Sequence, residues 1–419
     1  MNEEIQKYTE YCLNCPVKPC SQKGCPLNND IPAFIKQVKE GNTKKAYEIL
    51  LETTVLGSIC GRICPHGKQC QGSCVRGIKG EPVQIGKIEA YVFDEALNNK
   101  WYKNIEKKQE LKGKRIAVVG GGPAGLTCAS FLARSGAEVT IFEKYDKLGG
   151  ILRHGIPEFR LDREILDKTI EAILSLGIEV EYNKELGKNI ELQELEQKYD
   201  AVFIGFGANI PSEMNIEGEE LEGVYGGNSL LEKGIHPSYA GKKVAVIGGG
   251  NVAMDCARTI KRLGAEKVCV IYRRAEKQMP AEPKEVAEAR EEGIEFLFQN
   301  NIVRIIGKDK VEKVECIKTE LVKKEGEARE VPVNIENSNY EIDMDYVVMA
   351  LGSNPEKEVV EKLGLELDKW GYIKTDENRR TSNPKVYAGG DLAGDKGTVA
   401  WAARAGRDAA KAIRQAFSF

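Results

Sequence analysis

Two segments of this chain repeat one pattern: a short apolar strand that runs into clustered glycines and then into an amphipathic helix. The first is Arg115-Ile-Ala-Val-Val119 followed by Gly120-Gly-Gly122-Pro-Ala-Gly125; the second is Lys243-Val-Ala-Val-Ile247 followed by Gly248-Gly-Gly250-Asn-Val-Ala253. Glycines here permit a tight turn and a close approach of backbone to a pyrophosphate. The helix start adds oriented N–H groups and partial positive charge. One such element is a weak signal, but two in one chain predict two dinucleotide-binding α/β units.

In the first unit Gly120, Gly122, Pro123, Ala124 and Gly125 form the expected cradle. Glu143 ends the next strand, where a carboxylate can accept from ribose hydroxyls. In the second unit Gly249, Gly250, Asn251 and Val252 form the cradle, but the next strand, Lys267–Tyr272, ends in Arg273 and Arg274 instead of an acid. Guanidinium groups can pair with the 2′-phosphate of NADP, whereas a carboxylate would repel it, so NADP(H) is favoured over NAD(H). The plainer alternative is that both arginines are solvated loop charges. Two further apolar stretches, 345–352 and 385–390, end in glycines and read as buried strands. The expected layout inserts the second unit into the first, with these late strands returning to complete the first sheet. It gives a nucleotide domain at 239–340 within a domain formed by 111–238 and 341–419.

Residues 1–110 are different. Of the twelve cysteines, eight lie between Cys12 and Cys74, in two groups: Cys12, Cys15, Cys20 and Cys25, then Cys60, Cys64, Cys70 and Cys74. Dense, short-spaced cysteines in a cytosolic chain favour metal binding over disulfides. Two [4Fe–4S] clusters or two four-thiolate zinc sites would both fit the count. Helices are expected from Ile31 to about Lys39 and from Ile85 to Leu97, and a connecting segment from Lys100 to Lys114. Cys128, Cys256, Cys269 and Cys316 are scattered and read as small buried apolar residues. His66, His154 and His236 show no metal or catalytic pattern.

The net charge of −3 gives no sign of a nucleic-acid partner. No run of 18 apolar residues and no apolar N-terminal segment is present, so neither a membrane span nor a signal peptide is expected, and the expected location is cytoplasmic.

Leu148-Gly-Gly150 and Ala388-Gly-Gly-Asp391 resemble what two-dinucleotide flavoproteins carry around FAD. That resemblance implies that Asp391, after Gly390, bonds the ribityl chain, and that a helix starting near Thr398 aims its N-terminus at the flavin. The motifs in this order resemble the glutamate synthase small (β) subunit family over essentially the whole chain. Related proteins are the NAD(P)H-oxidising half of dihydropyrimidine dehydrogenase and the large subunit of NADH-dependent ferredoxin:NADP oxidoreductase. The most specific segments are 149–161, 248–255 and 272–274. The family implies two Rossmann-like α/β domains, the second inserted in the first, behind an α-helical iron–sulfur domain at 1–110. It also implies crosswise ligation: Cys12, Cys15 and Cys20 join Cys74 on one cluster, while Cys25, Cys64 and Cys70 hold the other. Glu89 matches the family's fourth ligand of that second cluster, with Cys60 as the simpler chemical alternative. The gap from Cys20 to Cys25 holds four residues where the family usually has three. By the same resemblance Gly150, Ile151, Arg160, Leu186 and the glycine exit Gly352 contact cofactor.

The implied activity is hydride transfer from NADPH to FAD, then single-electron steps through the clusters to a larger catalytic or electron-accepting subunit, with ferredoxin a further candidate partner. No catalytic side-chain acid or base is expected. There is no Cys-x-x-Cys beside the second glycine turn and no cysteine pair after Gly150, so a disulfide-reductase mechanism lacks its residues. The chain begins Met1-Asn2, without a nucleophilic cysteine, and is too short to add a substrate-reducing barrel of about 250 residues. Substrate chemistry is therefore expected on another polypeptide. A subunit of a bifurcating ferredoxin-linked transhydrogenase or of a dihydropyrimidine dehydrogenase, and a non-catalytic cluster-bearing scaffold, are the competing readings.

Overall fold

The computed structural model describes residues 2–323 and 330–417. Met1, residues 418–419 and residues 324–329, which fall at the ends of or within the expected domains, lie outside them. The described chain divides into two compact units. One runs to Arg153, resumes at Glu158–Ala208 and takes up the chain again from Pro355; the other comprises His154–Pro157 and Asn209–Asn354.

The cysteine-rich part of the first unit contains five α-helices: Glu3–Glu10, Ile31–Lys39, Thr43–Leu51, Gly57–Ile63 and Ile85–Asn98. The Ile31–Lys39 helix starts as its sequence dictates, with the Asp30 carboxylate accepting from Ala33 N and Pro32 in the first turn. It buries Ile31, Phe34, Ile35 and Val38, a helical spacing that makes one apolar face. Two of the five helices were expected, and Gly57–Ile63 is the instructive omission. A Cβ on Gly57 would lie 2.2 Å from the Phe93 ring, and one on Gly61 would lie 2.5 Å from Gly86 O, so the glycines let this helix press onto Ile85–Asn98. The 100–114 segment is more than a connection. It buries Tyr102 and Leu111 and is strapped to the end of the Pro123–Arg134 helix through Lys108 N to Arg134 O (2.8 Å) and Leu111 N to Ser135 O (2.9 Å).

The flavoprotein-like part of this unit is a five-stranded parallel sheet in the order Val386–Ala388, Ala201–Ile204, Arg115–Val119, Glu138–Glu143, Glu179–Tyr182. Three of its strands are buried along nearly their whole length, as a parallel sheet covered on both faces requires. The Val399–Ala416 helix crosses Pro123–Arg134 at Gly406, where a Cβ would sit 2.0 Å from Ala124 O.

The second unit has its own five-stranded parallel sheet, ordered Val224–Gly226, Tyr346–Met349, Lys243–Ile247, Lys267–Tyr272, Glu295–Phe298. Here the expected layout needs correcting. Only Val386–Ala388 returns to the first sheet; Tyr346–Met349 pairs with Lys243–Ile247 in the second, with Val347 opposite Ala245. Asp345 sets that register, accepting from Lys243 N at 2.8 Å and from Lys242 Nζ at 2.9 Å. Val348 then packs into the core on one face of the sheet and Val347 and Met349 into the core on the other. Residues 209–238 and 341–354 thus sit in the second unit, whose boundaries fall outside the expected 239–340. A four-stranded antiparallel sheet (Asn300–Ile306, Lys313–Val322, Val331–Asn334, Tyr340–Asp343) completes it. The four scattered cysteines are all buried.

Candidate functional site

In the first sheet the strand order reverses between Arg115–Val119 and Ala201–Ile204, and the first glycine turn stands at the carboxyl end of that crevice. Gly120 has φ +99, and a Cβ there would lie 2.7 Å from Phe206 Cα; on Gly125 it would lie 1.8 Å from Gly120 O. Gly122 is open by comparison, its nearest such neighbour being Gly150 Cα at 3.8 Å. This is a cradle that side chains would fill. Pro123 and Ala124 open the helix behind it. Glu143 is buried, with its carboxylate accepting from Gly121 N (2.7 Å) and Tyr145 N (3.0 Å), so the acid is locked against the turn.

The late flavin motif lies in the same unit. Asp391 follows Gly390 (φ +82) at the exit of Val386–Ala388. Burial pushes the Asp391 carboxyl up to about 6, and the neighbouring Asp395 adds to the rise. Asp395 is the residue sequence reasoning missed. It accepts from Gly390 N at 2.9 Å and is gripped by Arg379 Nη1 at 2.9 and 3.0 Å, which pins the turn. Thr398 caps the Val399–Ala416 helix, its Oγ1 accepting from Trp401 N. Gly150 (φ +51) and exposed Ile151 lead into the short Ile151–His154 helix. Arg160 is half-buried, and Leu186 is packed in the apolar core with Val119 and Phe142.

In the second unit Gly248 has φ +140, and Gly249 leaves room for the Tyr272 ring, 2.6 Å from where its Cβ would be. Gly250 meets nothing closer than Pro280 at 4.0 Å. Asn251 Oδ1 accepts from Glu282 N (3.0 Å), holding the 279–282 loop beside the turn, and Val252 is half-buried behind it. Arg273 is exposed. Arg274 is half-buried, and its Nε is buried with no hydrogen-bond partner. Gly352 (φ +102) falls in this unit, two residues past Ala350, whose carbonyl closes on Gly248.

The eight clustered thiols sort into two sets that interlace in sequence. Cys12, Cys15, Cys20 and Cys74 line one cavity, walled by Ile31, Ile35, Val83 and Ile85. Burial raises the Cys12 thiol and pushes Cys20 up to about 11, with neighbouring thiols contributing in both cases. The second set is Cys25, Cys60, Cys64 and Cys70 around Glu89. Burial pushes Cys25 up to about 12, and the Glu89 charge and Cys64 add to it. Cys64 is raised by its hydrogen bond with Cys60 and by burial, and Cys70 by burial with Cys25, Glu89 and Cys64 around it. Cys60 rises too: its bond to Cys64 favours the thiolate, but burial, Glu89 and the other thiols outweigh it. Glu89 is buried and pushed up to about 8 by desolvation, against the Asn29 Nδ2 bond to its Oε1 at 3.0 Å. So many buried ionisable thiols and a carboxylate suit a positively charged metal group, which displaces their protons on binding. Among the described residues no three His, Cys, Asp or Glu side chains close on a single-ion site.

The extra residue between Cys20 and Cys25 is absorbed locally. Cys20–Gly24 forms a single π turn closed by Cys25 N to Cys20 O at 2.8 Å. The turn lets Cys20 face the first set and Cys25 the second. The second set also lies beside the helix that bears Thr398: the Ala400 N–H faces Cys64, and Gln69 Nε2 reaches Thr398 Oγ1 at 3.5 Å. Arg404 and Arg407 of that helix donate to Pro26 O (3.1 Å) and Leu27 O (2.5 Å), fastening it beside Cys25. Gln69 and Ala400 carried no signal in the sequence. His66 Nε2 is buried without a partner, and His236 Nδ1 lies 3.0 Å from Tyr239 Oη.

A family model described as "Pyridine nucleotide-disulphide oxidoreductase" matches residues 114–416, and one described as dihydropyrimidine dehydrogenase domain II, 4Fe-4S cluster, matches residues 1–101. The class is thereby defined: an oxidoreductase of the pyridine nucleotide–disulphide fold with an N-terminal 4Fe-4S domain. Between the two metals that the cysteine count allowed, this match favours iron–sulfur. Within that class the chain belongs to the glutamate synthase small-chain family. It is 37% identical to the Escherichia coli glutamate synthase [NADPH] small chain, covering 98% of this chain and 91% of that one. The Halomonas elongata counterpart is 36% identical, with 96% and 88% covered. The NADPH-Fe(3+) oxidoreductase subunit beta of Geobacter sulfurreducens is 36% identical over 88% of this chain and 55% of its own. Mycobacterium tuberculosis FprA in complex with NADPH shares the fold at TM-score 0.63 and 21% identity, covering 72% of this chain and 84% of that one. A 2-naphthoyl-CoA reductase shares it at TM-score 0.57 and 22% identity over 92% of this chain and 49% of that one. Among the described residues no helix is long and apolar enough to cross a membrane.

Proposed function

We propose that this chain is the electron-input subunit of a larger reductase of the glutamate synthase type, oxidising NADPH and delivering electrons to a partner subunit. When bound, FAD would take hydride from NADPH, and two [4Fe–4S] clusters would relay the electrons singly. Gly120, Gly122, Pro123, Ala124, Gly125, Glu143, Gly150, Ile151, Arg160, Leu186, Gly390, Asp391 and Thr398 would hold FAD, chiefly through backbone donors and the half-buried Asp391. Gly249–Val252, Gly352, Arg273 and Arg274 would hold NADPH, the arginines taking the 2′-phosphate. Cys12, Cys15, Cys20 and Cys74 would carry one cluster, and Cys25, Cys64, Cys70 and Glu89 the other. In this reading residues 1–110 act as the relay and the two sheets as the flavin and nucleotide domains. The protein's own work is to orient, to exclude water and to set local charge.

One observation carries the reading: the Thr398-capped helix is fastened beside Cys25 by Arg404 and Arg407, which donate to Pro26 O and Leu27 O, joining the flavin motif and a thiol set within one compact unit. The test is anaerobic purification with its partner, followed by quantification of flavin, iron, acid-labile sulfide and zinc. About eight iron and eight sulfide per flavin, with a larger protein co-purifying, support the proposal. Two zinc atoms with no sulfide would sink it.

A further inference from the structure

We infer that the face formed by Tyr11–Val17 and Val75–Lys79 is the electron-exit surface, and that it receives an electron-accepting protein with an acidic contact face. The inference rests on the electron-input reading above and adds where, and to what chemistry, the electrons leave.

The two thiol sets differ in their surroundings. In the second set Cys60 and Cys70 are buried and Cys25 and Cys64 partly exposed, and Arg404 and Arg407 of the Val399–Ala416 helix are bonded beside Cys25. In the first set only Cys20 is buried; Cys12, Cys15 and Cys74 are partly exposed, and the cavity they line is bordered by Leu13, Val75 and Arg76. Around it the surface is unusually apolar. Ile78 is 77% exposed, Val17 70% and Leu13 50%, with Tyr11 and Val75 also exposed. These five are among fourteen exposed large hydrophobics in all the described residues, yet they come from two short segments. Single exposed apolar residues need no explanation, but a group gathered beside a redox-type site marks an interaction surface.

The two segments form one face. Arg76 Nε donates to Tyr11 O at 2.9 Å, and its guanidinium lies 4.3 Å from the centre of the Tyr11 ring. The charge on this face has one sign. Residues 11–29 and 53–80 contain no Asp or Glu, although the chain as a whole carries −3. They contain Lys18, Lys23, Arg62, Lys68, Arg76 and Lys79. Lys18 is matched by Asp30 and Arg62 by Asp94, so Arg76 and Lys79 set the sign beside the apolar group. Glu10 and Glu81 stand only at its sequence edges. An apolar centre with a basic rim selects a partner with an apolar centre and an acidic rim, the charges speeding encounter and fixing orientation.

The test uses the anaerobic holoprotein with NADPH and two probe acceptors whose potentials both lie above that of NADPH, acidic cytochrome b5 and basic cytochrome c. The double variant Ile78→Glu/Lys79→Glu touches no thiol or nucleotide residue named above; Lys198→Glu, at the end of the Leu192–Lys198 helix, is the charge control. The expected result is a fall of about tenfold or more in kcat/KM for cytochrome b5 in the double variant, with a weaker salt dependence. NADPH reduction of the flavin and the Lys198→Glu protein should be unchanged, and the double variant should not slow cytochrome c. An undiminished cytochrome b5 rate in the double variant, with normal flavin reduction, overturns the docking surface and leaves the electron-input reading standing. Failure of NADPH to reduce the wild-type flavin overturns both.

Discussion

Replacing Arg274 with alanine should damage NADPH use far more than replacing Arg273, and should leave NADH use almost untouched. The two arginines are adjacent in sequence but differ in environment: Arg273 is exposed, whereas Arg274 is half-buried and its Nε is a buried donor without a partner. A charge-assisted hydrogen bond from such a donor to a phosphate is worth about 1.5–3 kcal/mol, or roughly 10- to 150-fold in affinity. An exposed guanidinium is screened by water and salt and contributes about 0–1 kcal/mol, at most about fivefold. Initial-rate measurements with a small-molecule acceptor, for each variant with each nucleotide, separate the effects. Arg274→Ala should raise the KM for NADPH at least about tenfold with kcat little changed, because the 2′-phosphate lies away from the reacting carbon. Its KM for NADH should stay within about twofold, since that nucleotide lacks the phosphate. Equal losses for both nucleotides, or a larger effect of Arg273→Ala, would refute the assignment of Arg274 to the phosphate.

Glu89→Ala should lower iron content by about half, while Cys60→Ser should leave it near the wild-type value; iron analysis showing the reverse would make Cys60 the fourth ligand. Asp391→Asn should weaken flavin retention yet stabilise the flavin-stripped protein near neutral pH. The folded pKa of Asp391, about 6, lies above its ordinary 3.8, so its contribution to stability is fully present below pH 4 and is lost as pH rises through 6. The gap in thermal midpoint between variant and wild type should therefore widen from pH 4 to pH 7, the shift setting a ceiling of about 3 kcal/mol; a gap independent of pH refutes it. Arg258→Ala removes a buried guanidinium from Glu285 (2.6 Å), Glu288 (2.8 Å) and Glu292 (2.9 Å). It should cost about 3–5 kcal/mol of stability, read as a drop in the calorimetric transition; an unchanged transition would show the carboxylates find water instead.

Both glycine turns were legible because their signal is local: strand, turn and helix start are contiguous in sequence, although most of the contacts that require the glycines, such as Phe206 at Gly120 and Tyr272 at Gly249, come from elsewhere in the chain. What escaped was decided by residues far apart in the chain. Nothing in Tyr346–Met349 itself chooses between two parallel sheets; Asp345 chooses, by reaching Lys242 and Lys243. The Gly57–Ile63 helix was hidden because glycine disfavours helix locally, while here it permits close packing on Phe93 and Gly86. The sorting of the thiols came from family resemblance, since spacing alone could not interlace them. The four-residue gap after Cys20, a departure from that family, turned out to be one π turn. The Arg379–Asp395 pair that pins Gly390 spans sixteen residues with no motif to advertise it. For the candidate site, then, the two glycine turns could be read in advance, and the groups that hold those turns in place could not.

The most direct test of the account is electron paramagnetic resonance of the anaerobic holoprotein mixed with NADPH, compared with the same protein stripped of flavin. The account predicts reduced-cluster signals in the first sample and none in the second, because electrons enter the thiol-bound clusters only through the flavin beside the Thr398-capped helix. Equal cluster reduction in both samples, or none in either while NADPH is consumed, would contradict it.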